Sequence, residues 1–228
     1  APENNSIRRS RRRPSGVSTA LILTPEAPYP ITGGGSMRVA SLIEYFRSRN
    51  FDLHVITWRE PGAADPRKAF PSGIHVDVLE LPFHSRGKLA KASRNVRRFM
   101  RSVPPLTDRF RGFETQIADL VRGRSWDVAV LEHFWVAEYG RVLRSAAKRV
   151  VIDLVDVESV LLERTANLHG PPISMMFRRW ARASADMEKR LLPDYDVVLV
   201  TSEADAKRIP VQATVYPNTV PLVPCPSS

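Results

Sequence analysis

The chain has 228 residues, 43% hydrophobic and 25% charged, with a formal net charge of +10. That length supports one large or two small domains with a sizeable core, and the composition is globular rather than fibrous or low-complexity. One cysteine, Cys225, excludes an internal disulfide framework and fits a reducing compartment. No apolar run reaches the ~18 residues needed to span a bilayer.

The charge is uneven. Arg8, Arg9, Arg11, Arg12 and Arg13 lie in a polar segment with Asn, Ser and Pro, so residues 1–16 read as a disordered basic tail. Attraction to an anionic membrane or to nucleic acid are the sharper readings of the same run. A secretion signal is disfavoured, because the apolar stretch after the arginines is short and ends at Pro25.

Ser18–Thr24 is a short apolar, β-leaning run, and helical spacing at Val39, Leu42, Ile43 and Phe46 predicts a helix from Met37 to Arg49. Between them, Pro25–Ser36 reads as a 12-residue loop carrying Gly33, Gly34 and Gly35. A strand entering a helix through glycines exposes unpaired backbone N–H groups where an anion is favoured, and glycines let a ligand approach closely. The run matches neither G-x-G-x-x-G nor a P-loop, since no lysine follows.

Further strands are expected at 51–58, 73–82, 126–133, 149–155, 194–201 and 213–217, with the third near a sheet edge because its residues alternate. Helices are expected at 86–103, 106–122, 136–147, 157–168, 172–192 and 202–207. Arg94, Arg97, Arg98 and Arg101 share one face of the first of these. It reads as a solvated basic face, with a membrane-surface helix as the alternative. The stripe Ile173, Met176, Phe177, Trp180, Met187 and Leu191 reads as core. Strands alternating with helices predict a Rossmann-like, doubly wound, mostly parallel α/β sheet of about seven strands, with helices on both faces, over residues 17–217. Residues 218–228 read as a linker or tail.

In such a sheet ligands sit beyond the carboxyl ends of the strands, where the strand order reverses. In the dinucleotide-type order the first and fourth strands meet there, which brings the glycine loop to His133. Asp153, Asp156, Glu158, Thr201, Ser202 and Asn218 fall on the same rim. Each has a plainer reading: His133 as structural, Asp156 and Ser202 as helix caps, Glu132 and Asp153 as partners of other loops. The five histidines do not cluster in sequence, so no metal site is expected, and no G-x-S-x-G elbow appears.

Four segments in order resemble the N-terminal domain of family-four glycosyltransferases of GT-B architecture: LILTPEAPYPITGGGSMRVASLIEYFRSRNFDLHVIT, WDVAVLEHFW, DYDVVLVTSEADAKRI and VYPNTV. The resemblance spans about residues 18–221, with Thr219 where the family usually has glycine. DLVDVES is similar to members associated with exopolysaccharide assembly. The resemblance implies the acceptor-binding half of a retaining enzyme that moves a sugar from a nucleotide-sugar to a glycan or lipid-linked acceptor. It implies no metal and no cofactor beyond that co-substrate. It assigns Gly33, Gly34 and Gly35 to the donor diphosphate or sugar, and His133 to orienting the donor sugar. Asp156, Glu158, Thr201, Ser202, Glu203 and Asn218 would line the cleft. The donor pocket would come from a second domain or partner subunit, so these residues alone should be inactive; a non-catalytic module of the same fold is the alternative. A cytoplasmic location is implied, with an anionic inner membrane surface as possible partner and nucleic acid disfavoured.

Overall fold

The computed structural model describes residues 16–84 and 87–218. Cys225, the arginine run and all but Asn218 of the 218–228 segment lie outside them. Seven strands form one sheet in the order β3-β2-β1-β4-β5-β6-β7, every neighbouring pair parallel. They are β1 Thr19–Thr24, β2 Asp52–Arg59, β3 His75–Glu80, β4 Trp126–Glu132, β5 Ala147–Leu154, β6 Val197–Val200 and β7 Thr214–Val215. β3 is an edge strand, as its alternation suggested.

β1 is buried along its whole length and its side chains alternate between two cores. Ala20 and Ile22 join Val39, Leu42, Ile43 and Phe46 of helix α1 (Gly34–Ser48) on one face. Leu21 and Leu23 join the larger core on the other, with Ile56, Trp58, Phe110, Phe113, Ile117, Ile152 and Leu154. The remaining helices are α2 Lys88–Arg101, α3 Pro105–Phe110, α4 Glu114–Val121, α5 Gly140–Arg144, α6 Glu158–Asn167, α7 Ile173–Leu191 and α8 Glu203–Ala206. None is long and apolar enough to cross a membrane.

Three expectations need correction. The helix expected over 106–122 is two helices, because Gly112 takes a left-handed conformation (φ 91°) that lets Phe110 and Phe113 both pack edge-on to Trp58. The helix expected over 136–147 is a 3-10 turn at Phe134–Tyr139 followed by the short α5, and β5 starts at Ala147. The α7 stripe is core only at Trp180, Met187 and Leu191; Ile173 at its start is 46% exposed.

Candidate functional site

β1 and β4 pair side by side, so the carboxyl ends of both open onto one corner. The chain reaches α1 at Gly34, three residues before the expected start, so the loop is Pro25–Gly33. Ser36 explains the earlier start. Its Oγ accepts from the backbone N–H groups of Thr32 and Gly33, both at 3.0 Å, and donates to the Gly33 carbonyl at 2.9 Å. That local network fixes the entry and outweighs the poor helix propensity of glycine.

The fold itself has little use for these glycines. Gly33 is extended (φ −173°), and Gly34 and Gly35 are helical. A Cβ added at Gly33 or Gly34 would meet nothing, and one at Gly35 would make only ordinary contact, 3.9 Å from His133 Nε2. No acidic side chain sits in the first turn, and the N-cap offers no side-chain acceptor.

β4 ends at Glu132, and His133 follows it with φ 68°, a costly conformation for a residue with a Cβ. Its backbone N–H donates to the Asp153 carbonyl at 2.9 Å. Its ring lies parallel to Trp135, 4.3 Å between centroids and 5° between planes. Burial, and then the Arg38 charge, lower its pKa to about 4. The imidazole is therefore neutral at physiological pH, with one nitrogen to donate and one to accept.

Behind this corner lies a charged group whose pairing the sequence did not disclose. Arg38 Nε and Nη2 grip Asp153 Oδ2 and Oδ1, each at 2.7 Å, with both side chains 1% exposed. Arg38 Nη1 donates to Asn218 Oδ1 at 3.0 Å, and its guanidinium lies 4.4 Å from the Tyr216 ring centroid. Glu132 is the register partner of Asp153, fully buried, and neither of its oxygens has a hydrogen-bond partner among the described residues. Burial, and then Asp153, push Glu132 well above the ordinary carboxylate range, so Glu132 holds the proton beside an ion-paired Asp153. The available signal was two acids closing apolar strands while an arginine opened the buried stripe of a helix.

The other expected residues divide. Trp135 Nε1 donates to Glu158 Oε2 at 2.9 Å, which links Glu158 to the His133 ring. Burial raises the Glu158 pKa to about 7, although the indole bond opposes it. Asn218 joins through Arg38. Asp156 is exposed, and the N-cap of α6 is Val157, which removes the expected capping role of Asp156. Thr201 Oγ1 and Ser202 Oγ both donate to Asp205 Oδ2, at 3.0 and 2.6 Å. The Asp205 N–H donates back to Ser202 Oγ at 3.2 Å, so Ser202 is the cap of α8. Glu203 is exposed and forms no side-chain hydrogen bond or ion pair among the described residues.

Two histidines that are distant in sequence do meet. His54 and His75 are register partners on β2 and β3, near the amino ends of those strands and away from the corner. His54 Nε2 lies 2.8 Å and His75 Nε2 3.3 Å from Asp77 Oδ2. The three offer metal-ligating atoms within 4.8 Å of one another, a grouping the spacing did not suggest. Arg124 Nη1 lies 3.5 Å from His54 Nδ1, and that fixed cation opposes a second positive charge. The group reads as a hydrogen-bonded brace on the β2–β3 edge.

No curated protein matches the chain in sequence. Among solved structures it is similar to a UDP-glucosyltransferase from Polygonum tinctorium (13% identity, 89% of this chain and 52% of that one, TM-score 0.46). It is also similar to sucrose-phosphate synthase from Thermosynechococcus elongatus (15%, 87% and 48%, 0.47). A third likeness is to the N-terminal domain of trehalose-6-phosphate phosphatase from Candida albicans (14%, 83% and 41%, 0.46). The chain thus spans about half the length of such chains. Family membership rests on the sequence: residues 33–226 match the model of the glycosyl transferase 4-like domain, and the chain belongs to that family.

Proposed function

We propose that the chain is the acceptor-binding half of a retaining glycosyltransferase of GT-B architecture. It would work with a donor-side domain that holds most of a nucleotide-sugar. The observation that carries this reading is the start of α1: glycines the fold does not require, next to a neutral His133 at the switch point. The N–H groups of Gly34, Gly35 and Ser36 have no intrahelical acceptor, and the helix end carries a partial charge of roughly +0.5. A diphosphate suits that position both as ligand and as leaving group, because charge grows on it as the sugar departs. The bond from the anomeric carbon to the diphosphate oxygen breaks, one to an acceptor hydroxyl forms, and the hydroxyl proton leaves with the diphosphate or solvent. His133, fixed by Trp135 stacking, orients a sugar hydroxyl by hydrogen bonding.

The test uses the gene product containing this chain, a panel of UDP- and GDP-sugars, and release of nucleoside diphosphate as readout, with NMR of the product anomer. His133→Ala is expected to lower kcat/KM about 10²-fold. Unchanged turnover in that variant would contradict the assignment, and absence of turnover with every donor would favour the non-catalytic reading. The 228 residues alone are expected to show little turnover.

The same reading puts transfer at the cytoplasmic face of an anionic membrane, with a glycan or lipid-linked acceptor. Support comes from α2, which has six basic and no acidic residues and leaves Leu89, Val96 and Met100 exposed. Flotation with anionic but not neutral liposomes is expected; equal partitioning into both would count against it.

A further inference from the structure

A cleft of about 470 Å³ runs along the carboxyl rim of β1, β2 and β3, floored by the loops after those strands and walled by α2 and α3. Lys91, Arg94 and Arg98 line it at i, i+3 and i+7 of α2, one face of the helix. Arg109 closes it from α3. Two of the four cations are held: Arg98 Nε pairs with Asp108 Oδ2 at 2.7 Å, and Arg109 pairs with Glu60 and donates to the Pro82 carbonyl at 2.9 Å. Lys91 and Arg94 have no ion-pair partner among the described residues. Glu26 and Glu60 are the acids on the cleft wall, and Glu60 is already taken by Arg109. His84 lines the cleft as well. Burial, and then the charges of Arg109, Arg94 and Arg98, lower its pKa, which leaves an uncharged imidazole among three guanidiniums.

We propose that this cleft binds a phosphate group carried by the acceptor. Lys91, Arg94 and Arg98 supply charge and donors, and neutral His84 supplies an N–H. Several convergent cations suit a multiply charged phosphate better than a single carboxylate. A stack of three rings leads from the cleft toward the transfer corner. Phe110 lines it and lies parallel to Trp135 at 6.0 Å and 7°, and Trp135 lies parallel to His133. An acceptor held by its phosphate here extends along that aromatic wall toward the imidazole. Only the word acceptor rests on the transferase reading; phosphate binding does not.

The two claims separate experimentally. Thermal unfolding of the 228-residue chain is followed in sodium phosphate against sodium chloride at matched ionic strength. Phosphate is expected to raise Tm by about 3–8 °C when near-saturating. Lys91→Ala/Arg94→Ala removes that shift and His133→Ala keeps it. No shift beyond that in chloride overturns the proposal. A full shift in the double variant overturns it too, since the ion would then sit elsewhere, including at the start of α1. Glucose 1-phosphate against glucose, and dihexanoyl phosphatidic acid against glucose 1-phosphate, identify the source. Protection by either phosphate that depends on Lys91 and Arg94 supports the cleft; protection by neither overturns it. Absence of turnover by the unmutated gene product with every donor, with this binding intact, would instead sink the function proposed above.

Discussion

Arg38 is buried against Asp153, and its loss should cost the fold heavily. Arg38→Met leaves Asp153, 0% exposed as a residue, without its bidentate partner and beside the equally buried Glu132. Removing one member of a buried ion pair costs about 3–5 kcal/mol, because the remaining charge is neither solvated nor paired. At about 2–4 °C per kcal/mol for a chain of this size, Tm should fall by roughly 6–20 °C. Arg38→Met/Asp153→Leu, which removes both charges, should recover most of that loss, since apolar replacement of a whole buried pair is often near neutral. The deficit of the single variant should also shrink as pH falls toward the carboxylate range, because burial raises the Asp153 pKa and the lost guanidinium no longer opposes it, so Asp153 takes up a proton early. Urea unfolding of the wild type, both single variants and the double variant gives the coupling energy directly. A single variant within about 1 kcal/mol of wild type, or additive single effects, would refute the reasoning.

His133 and Glu158 give opposite pH dependences. His133 titrates near 4 when folded and near 6.5 when unfolded, so the unfolded chain holds the extra proton between those values and stability rises with pH by about 3 kcal/mol. Glu158 titrates near 7 when folded and near 4.5 when unfolded, so stability falls by a similar amount as pH rises through that window. The two nearly cancel in the wild type. His133→Ala should expose the falling slope and Glu158→Gln the rising one in urea titrations from pH 4 to 7.5; parallel profiles for both variants would show that burial is not acting as described. Gly140→Ala places a Cβ 2.5 Å from Tyr195 Oη, whose hydroxyl donates to the Ala137 carbonyl at 2.6 Å. Overpacking should cost about 1–3 kcal/mol in thermal melts, and an unchanged Tm would mean that Tyr195 swings aside freely.

Much of the fold was legible because alternating strands and helices admit few topologies, and apolar β1 and β5 could only be interior. The meeting of the glycine run and His133 followed from strand order alone. Contacts that depend on register stayed hidden. His54 and His75 lie 21 positions apart in sequence and become neighbours only when β2 and β3 align. Glu132 and Asp153 likewise read as separate strand ends until β4 and β5 pair. Arg38 was hidden by its type, since a fully buried arginine opposes the usual pattern and is explained only by the acid beneath it. α1 starts earlier than the apolar spacing places it, because that spacing begins at Val39 and does not register the Ser36 network. Thr201 and Ser202 bind Asp205, so the plainer capping reading accounts for Ser202.

If the glycines opening α1 serve a ligand and not the fold, as proposed, Gly34→Ala/Gly35→Ala separates the two roles. Alanine in a helix is favoured over glycine by about 0.5–1 kcal/mol per site, and nothing in the structure opposes either Cβ. Unfolding and nucleotide-sugar turnover would be measured on the same preparation of the gene product. Stability is expected to hold or rise while kcat/KM for transfer falls by tenfold or more; undiminished transfer in a stably folded double variant would contradict a ligand role for these glycines.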